Sequence, residues 1–413
     1  MKCRHCGSEL NLPFLDLGNA PPSNAFLNMQ TVSAPETWFP LRILVCEKCW
    51  LVQTEDHAGR EDLFAHDYAY FSSFSSTWLV HSEKYVLDMI KRFGLGVNSC
   101  VVEVAANDGY LLQYVKQAGI QTYGIEPTAS TAAAARDKGI DIVERFFGVE
   151  LANELANSGL QADLMTANNV LAHVPDINDF VAGFTRLLKP QGVVTFEFPH
   201  LLRMVQENQF DTAYHEHYSY LSLSAVQQIF VANGLSIFDV HEISTHGGSL
   251  RVFAQRSDTG THQLSSLVAK LLSIEANAGI KAAEFYSGFQ LKAQQIKDEL
   301  VLFLIKVKQR GLKVGAYGAA AKGNTLLNFA GIRPDLLPYV VDKNPAKQGK
   351  YMPGSKIPIV NEAHLKAQRP DLILILPWNL REEVMSQLGY MSEWGGEFVT
   401  AIPELKVTGN RIA

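Results

Sequence analysis

The chain reads as a three-part α/β protein: an N-terminal zinc-binding knuckle domain, a central parallel α/β domain and a smaller C-terminal parallel α/β domain. Three observations lead there. Two CxxC pairs, "CRHC" (Cys3, Cys6) and "CEKC" (Cys46, Cys49), stand within the first fifty residues. Strand–turn–helix–strand patterns recur after residue 100 and again after residue 313. At 413 residues the chain exceeds what one ordinary core of roughly 100–200 residues holds. The expected divisions are 1–65, 66–258, a helical connector over 259–310, and 311–413.

The knuckles come first. Four thiolates at duplicated spacing suit one tetrahedral zinc; two redox pairs or four buried thiols are the competing readings, and the duplication favours the metal. His5 and His57 could replace a ligand, but four cysteines need neither. With every position filled by protein none is left for water, so the zinc is expected to be structural, in a segment of about sixty residues with little core of its own. Cys100, alone before an apolar strand, is expected to be a small core residue.

Bulk properties narrow the class. Hydrophobic residues at 47% and charged residues at 19% are globular values, and no apolar run approaches the ~20 residues of a membrane helix. "MKCRHCGSEL" lacks the apolar stretch of a secretory leader, so the cytoplasm is the expected compartment, with no membrane partner. A net charge of −6 gives no global footprint for nucleic acid. The oligomeric state is left open.

In "SCVVEVAANDGYLLQYVKQAGIQTYGIEP" a buried strand (101–105) enters a turn with Asn107, Asp108 and Gly109, then a helix, then a second strand (122–125) ending in Glu126. Ligands of such units lie beyond the carboxyl ends of the strands. Ala105, Ala106 and Asn107 stand where a dinucleotide fingerprint wants glycines, which disfavours pyrophosphate. Glu103, the small-residue turn closing at Gly109, and Glu126 resemble the first motifs of class I S-adenosylmethionine methyltransferases. That resemblance implies that Glu103, Asn107 and Gly109 approach the methionine part of the cofactor and that Glu126 accepts from the ribose hydroxyls, a pairing that two vicinal donors and a carboxylate suit well. "ADLMTANNVLAHVPDINDFVAGFTRLLKPQGVVTFEFP" continues it: residues 163–167 as the fourth strand, Asn168 and Asn169 at its ligand-facing end, and "LLKPQGVVTFEF" as helix, turn and fifth strand.

Downstream lies "AYHEHYSYLS" (213–222), two histidines, a glutamate and three tyrosines in ten residues. Together with the CxxC region, "YAYFSSFSSTW", "ISTHGGSLRVFAQR" and "GAYGAAAKGNT", this run resembles the nucleotide-sugar C-methyltransferases that act on dTDP-linked 4-keto-deoxysugars. The resemblance implies S-adenosylmethionine as cofactor, a structural zinc and a nucleotide-sugar partner, with His217 as base, Tyr214 and Glu216 beside it, and Tyr68 of "DYAYF" contributed by the N-terminal region. Methylating carbon requires a carbanion equivalent; a neutral imidazole suits removal of the proton beside a ketone, and tyrosine hydroxyls suit the enolate oxygen. One base suffices, so His215 is expected to be secondary, and Tyr70, Tyr218 and Tyr220 to be packing residues. His173 either faces the reacting groups, as a substrate contact, or caps a turn. "HGGSLR" reads as a glycine-allowed bend between strands.

Residues 261–309 carry helical periodicity, and a second, Rossmann-like α/β domain follows. Its loop places Lys322, Asn324 and Thr325 at a helix N-terminus, favourable for phosphate, and a strand ending in Asp342 could reach a ribose or base. Gly315, Gly318 and Gly323 make no strict dinucleotide fingerprint, so an NAD site is not expected. The domain is expected to close over the nucleotide diphosphate, or else to be a duplicated unit kept for packing. Two other functions compete. An rRNA or tRNA base methyltransferase would also carry a zinc knuckle, but six acids against five Lys/Arg in residues 1–60 leave no basic clamp. A non-enzymatic zinc and nucleotide scaffold leaves the His/Tyr/Glu run without a purpose.

Overall fold

The computed structural model describes residues 1–57 and 71–408; Tyr68 and Tyr70 lie outside the described residues. Among the described residues three sheets organise the chain. The first begins with strands β1 (Leu12–Ala20), β2 (Phe39–Val45) and β3 (Val52–Thr54), paired antiparallel. Leu41, Ile43 and Val45 alternate along β2 and are buried, the period-two pattern of a strand with one face on a core.

The central sheet contains β4 (Cys100–Val104), β5 (Gln121–Ile125), β6 (Asp141–Val143), β7 (Ala162–Asn168) and β8 (Leu188–Pro199). After β9 (Ser219–Tyr220) come β10 (Leu235–Ile243) and β11 (Ser249–Arg256), which complete it. The order is β10-β11-β8-β7-β4-β5-β6, parallel except that β11 runs against both β8 and β10. Because β5 and β7 flank β4 on opposite sides, strand order reverses at β4, and the crevice there is the ligand position of such sheets. The turn expected inside "LLKPQGVVTFEF" is instead a bulge: Ala162 pairs Leu188 and Leu164 pairs Val193, so Lys189 to Gly192 loop out while the strand runs on.

β9 does not join this sheet. It pairs with β3 and completes the N-terminal sheet in the order β1-β2-β3-β9. The run that ends the sequence motif of residues 213–222 is therefore stitched to the zinc-knuckle region.

The third sheet comprises β12 (Val314–Tyr317), β13 (Val340–Val341), β14 (Ile359–Val360), β15 (Leu372–Ile375), β16 (Glu397–Thr400) and β17 (Lys406–Val407). Its order, β14-β13-β12-β15-β16-β17, again reverses at its first strand, and only β17 is antiparallel. The helices Ser266–Ala278, Ala283–Tyr286 and Phe289–Gln309 precede it. They are more than a connector: Tyr286, Phe289 and Leu300 share one buried core with Phe14 and Ile43 of the N-terminal sheet and Leu374 of the third. Phe14 stacks on Phe289 with ring centroids 4.6 Å apart. Among the described residues no helix is long and apolar enough to cross a membrane.

Candidate active site

The two knuckles are built alike. Gly7 donates its N–H to the Cys3 carbonyl at 2.9 Å, and Trp50 donates to that of Cys46 at 2.7 Å; both closing residues have positive φ, +72° and +59°. Each turn thereby aims its two thiols at one point, and the four Sγ atoms lie within 4.8 Å of one another. Cys3 and Cys49 approach to 3.5 Å, as do Cys6 and Cys46. Tetrahedral zinc–thiolate bonds of ~2.3 Å require sulfurs about 3.8 Å apart, so the cluster fits zinc. The bond from Cys49 holds the Cys3 thiol well below its ordinary value, while the same bond and burial push Cys49 up: one proton is shared where a dication would displace it. Gln53 donates to the Cys3 sulfur at 3.3 Å, as expected of a bond that orients a metal ligand.

The knuckles are also joined to the central domain. Asn178 donates to the His5 carbonyl at 2.8 Å, and Arg4 donates to the carbonyls of Pro175 and Thr54. Arg4 also lies 5.2 Å from the Tyr218 ring centroid.

At the β4 crevice, Ala105 and Asn107 take positive φ and Gly109 sits at +74°. A Cβ on Gly109 would press on Ile140 and Ala135 at 3.2 and 3.3 Å, which explains the glycine by packing as well as by backbone angle. Glu126, 5% exposed, accepts from the Asn107 and Thr128 amides, both at 2.9 Å. It thus fixes the turn itself, with the Thr128 and Thr131 hydroxyls also beside it. Burial raises the pKa of Glu126 and lifts Glu103 well above the usual carboxylate range, Asp108 and Glu126 adding to the latter. At the end of β7 the side-chain oxygens of Asn168 and Asn169 are buried without a protein partner among the described residues. Carboxylates and orphaned acceptors around one small-residue turn suit a cationic ligand rich in O–H and N–H donors, as S-adenosylmethionine is. Asn107 and Asp108 also receive the amides of Ser72 and Ser73, so the chain leaving the undescribed segment is anchored on this turn.

The YHEHY run is a turn closed by His217 N–H to the Tyr214 carbonyl at 2.9 Å, and a turn fans successive side chains apart. His215 points to the N-terminal sheet, its Nε2 3.2 Å from the Phe39 carbonyl. Glu216 accepts from Asn24 at 2.7 and 2.9 Å. His217 turns inward: Nδ1 lies 2.8 Å from the Thr212 carbonyl. A carbonyl can only accept, so Nδ1 carries the proton and Nε2 carries the basic lone pair. Burial, with His173 adding, holds the His217 pKa well below the ordinary value, so the ring is neutral. Tyr214 lies over it at 3.8 Å between centroids and His173 meets it edge-on at 4.6 Å. His173 is itself pushed down to about 4 by burial, a bond to the Glu216 backbone opposing.

From the helix Ala321–Phe329 that follows β12, Lys322 reaches the same region, its ammonium 4.5 Å from the Trp378 ring centroid. Asn324, 1% exposed, has both amide atoms buried without a protein partner among the described residues. Thr325 and Asp342 are engaged inside the protein. The Thr325 hydroxyl donates to the Ala213 carbonyl at 2.8 Å, and the Asp342 oxygens accept from the Ala319 and Asn344 amides, each at 2.8 Å. The glycines of this loop serve packing: a Cβ on Gly318 would strike Pro377, and one on Gly323 would strike Leu376.

Several residues of the cluster carry no local sequence signal: Asn24 on Glu216, Asp211 beneath Trp378 (Trp378 Nε1 to Asp211 Oδ2, 2.8 Å), and His246 beside Lys322 (His246 carbonyl to Nζ, 3.3 Å). Trp378 had a usable one, standing just beyond the carboxyl end of a strand in a parallel sheet.

Three family models match successive parts of the chain. Residues 3–64 match the family model described as "Putative zinc binding domain", 79–240 "Methyltransferase domain", and 244–403 "C-methyltransferase C-terminal domain". The chain is 33% identical over 406 residues to the C-methyltransferase NovU of Streptomyces niveus, spanning 98% of this chain and 96% of that protein. A ubiquinone biosynthesis O-methyltransferase of Bordetella avium (strain 197N) is 35% identical over 101 residues, 23% of this chain and 41% of that one. Among solved structures, magnesium protoporphyrin IX methyltransferase (ChlM) from Synechocystis PCC 6803 with bound SAM aligns with a TM-score of 0.36 at 17% identity, over 49% of this chain and all of that one.

Proposed function

The chain belongs to the C-methyltransferase family as an S-adenosylmethionine-dependent enzyme, and on that premise we propose that it methylates the carbon beside the ketone of a dTDP-linked 4-keto-deoxysugar. The observation that carries the reading is the His217 imidazole: buried, neutral, tautomer fixed by Thr212, and edge-on to His173 just beyond β7. His217 Nε2 takes the proton beside the ketone. Tyr214 covers the ring and Glu216 braces the turn through Asn24; Tyr68, outside the described residues, is assigned with them to the active site by the family resemblance. S-adenosylmethionine supplies the electrophilic methyl group that the resulting carbanion equivalent accepts. Glu126 is assigned to the ribose hydroxyls, Glu103 and the turn from Asn107 to Gly109 to the methionine end, and Asn168 and Asn169 to the remaining donors of the cofactor.

On the other side His173, Lys322 and Asn324 are the substrate contacts. An amide buried with neither end bonded costs roughly 1–3 kcal/mol per unmet group, and a polar ligand at Asn324 would recover it. Zinc, held by Cys3, Cys6, Cys46 and Cys49, is structural: the four thiolates leave no coordination position for substrate.

The test is direct. The purified enzyme, methyl-labelled S-adenosylmethionine and a panel of dTDP-4-keto sugars should give a product one methyl heavier, with NMR placing the new methyl on a carbon adjacent to the ketone. Methyl transfer to transfer or ribosomal RNA, and to none of the sugars, would overturn the reading.

A further inference from the structure

The two carboxyl-end crevices meet at a cluster that proton removal alone does not use. Lys322 lies in the first turn of the helix Ala321–Phe329. Its Nζ donates to the His246 carbonyl and to Asn379 Oδ1, both at 3.3 Å, and rests on the Trp378 ring. Trp378 Nε1 donates to Asp211 Oδ2. Asp211 directly precedes Thr212, whose carbonyl fixes His217. A cation, a fully buried acid and the imidazole are thus linked through one set of bonds that bridges the central and C-terminal domains.

This setting suits one anionic oxygen better than a diphosphate. The Asp211 carboxyl would repel a dianion. Two neutral acceptors occupy two of the three ammonium donors, leaving one N–H for a ligand.

We propose that Lys322 donates to the ketone oxygen of the substrate and stabilises the enolate formed when His217 removes the neighbouring proton, with Asp211 and Trp378 as positioning residues. The proposal rests on the keto-sugar reading above. The C–H bond breaks and its proton passes to His217 Nε2. The bonding pair becomes the C=C of the enolate, and the carbonyl π pair moves onto oxygen, where the ammonium holds it; nothing is oxidised or reduced. Among the described residues the ionisable groups facing Lys322 are Asp211, His217 and His246. Burial brings Lys322 down to about 8 with Asp211 opposing, so the ammonium persists at neutral pH while lying nearer an enol in acidity than an exposed lysine does.

The test is deuterium exchange at the carbon beside the ketone of a dTDP-4-keto-6-deoxyhexose, in D2O with S-adenosylhomocysteine. Lys322→Gln and Lys322→Met should lose at least about 10²-fold in exchange, the scale of a removed oxyanion donor. Affinity for S-adenosylhomocysteine, which reports an intact fold, and for dTDP as competitor should stay within about threefold, well inside the tenfold that 1.4 kcal/mol represents. Asp211→Asn should move the basic limb of the exchange profile to lower pH, because the carboxylate is what keeps the ammonium protonated. Exchange by the Lys322 variants at the wild-type rate, or intact exchange with dTDP affinity reduced tens of times, overturns the proposal and assigns Lys322 to the diphosphate. Absence of exchange in the wild type with every keto sugar tried overturns the keto-sugar reading and this proposal with it.

Discussion

The Thr54 hydroxyl donates to the backbone carbonyl of His217 at 2.7 Å, so the last residue of β3 in the zinc-knuckle region holds the candidate base from outside its own domain. The adjoining β3–β9 pairing, Val52 with Tyr220 and Gln53 with Ser219, makes this a two-point attachment. Thr54→Val preserves shape and removes the donor, leaving a buried carbonyl unmet. Stability should fall by about 1–3 kcal/mol in denaturant titration, and turnover should fall while cofactor affinity and zinc content are retained. Unchanged turnover would show that the attachment does not position His217.

Zinc removal should act through the same route. Wild-type protein should carry about one zinc per chain, the stoichiometry of one four-thiolate site. Cys46→Ser should lose it, together with ordered structure in the N-terminal region and methyl transfer, whereas calorimetry should still find cofactor binding in the central domain. A metal-free wild type with full activity contradicts the assignment.

Glu126 accepts two backbone amides in the free protein, which makes its replacement informative twice over. Glu126→Ala removes the acceptor assigned to the ribose and unties the turn at Asn107. Calorimetry should record a loss of roughly 1.5–3 kcal/mol in cofactor binding; unchanged affinity would place the ribose elsewhere.

His217→Asn should bind cofactor and fold normally, yet lose turnover by at least the roughly 10²–10⁴-fold typical of a positioned acid–base group. His215→Asn should be nearly silent, because His215 faces the Phe39 carbonyl. The reverse pattern would reassign the base.

Acidification should destabilise the protein in a defined window. Burial lowers both His173 and His246 to about 4 in the folded state, below the ~6.5 of an unfolded histidine. Above about 6.5 their neutral forms cost the fold nothing; as pH falls from there toward 4 the unfolded chain binds protons that the folded one refuses, and stability is lost progressively. Thermal melts of wild type and His246→Gln between pH 7 and 4.5 should show a shallower decline in the variant.

What could be read from the sequence was what depends on short-range pattern. The paired knuckles, the β4 turn and Glu126 each sit within a few residues of the signal that marks them, and the periodicity of β4 and β7 survives to within a residue at their ends. What could not be read was partnership across the chain. Nothing in "GNT" tells Thr325 to bind Ala213 more than a hundred residues earlier, and nothing in "YSY" says that Ser219 and Tyr220 extend a foreign sheet. The bulge at Lys189 to Gly192 was hidden because proline and glycine mark a turn and a bulge with the same letters.

The membership of β9 in the first sheet has a consequence for how the protein is made. Three of its strands leave the ribosome early, but the fourth follows only some 165 residues later, on the order of ten to thirty seconds at about 5–20 residues per second. Throughout that interval β3 is a naked strand edge, the feature most prone to pairing with a neighbouring chain. A bound zinc would hold the nascent knuckles in register until the partner strand emerges. Yield of soluble protein should therefore depend on zinc supply during translation, more than on zinc added to the finished chain.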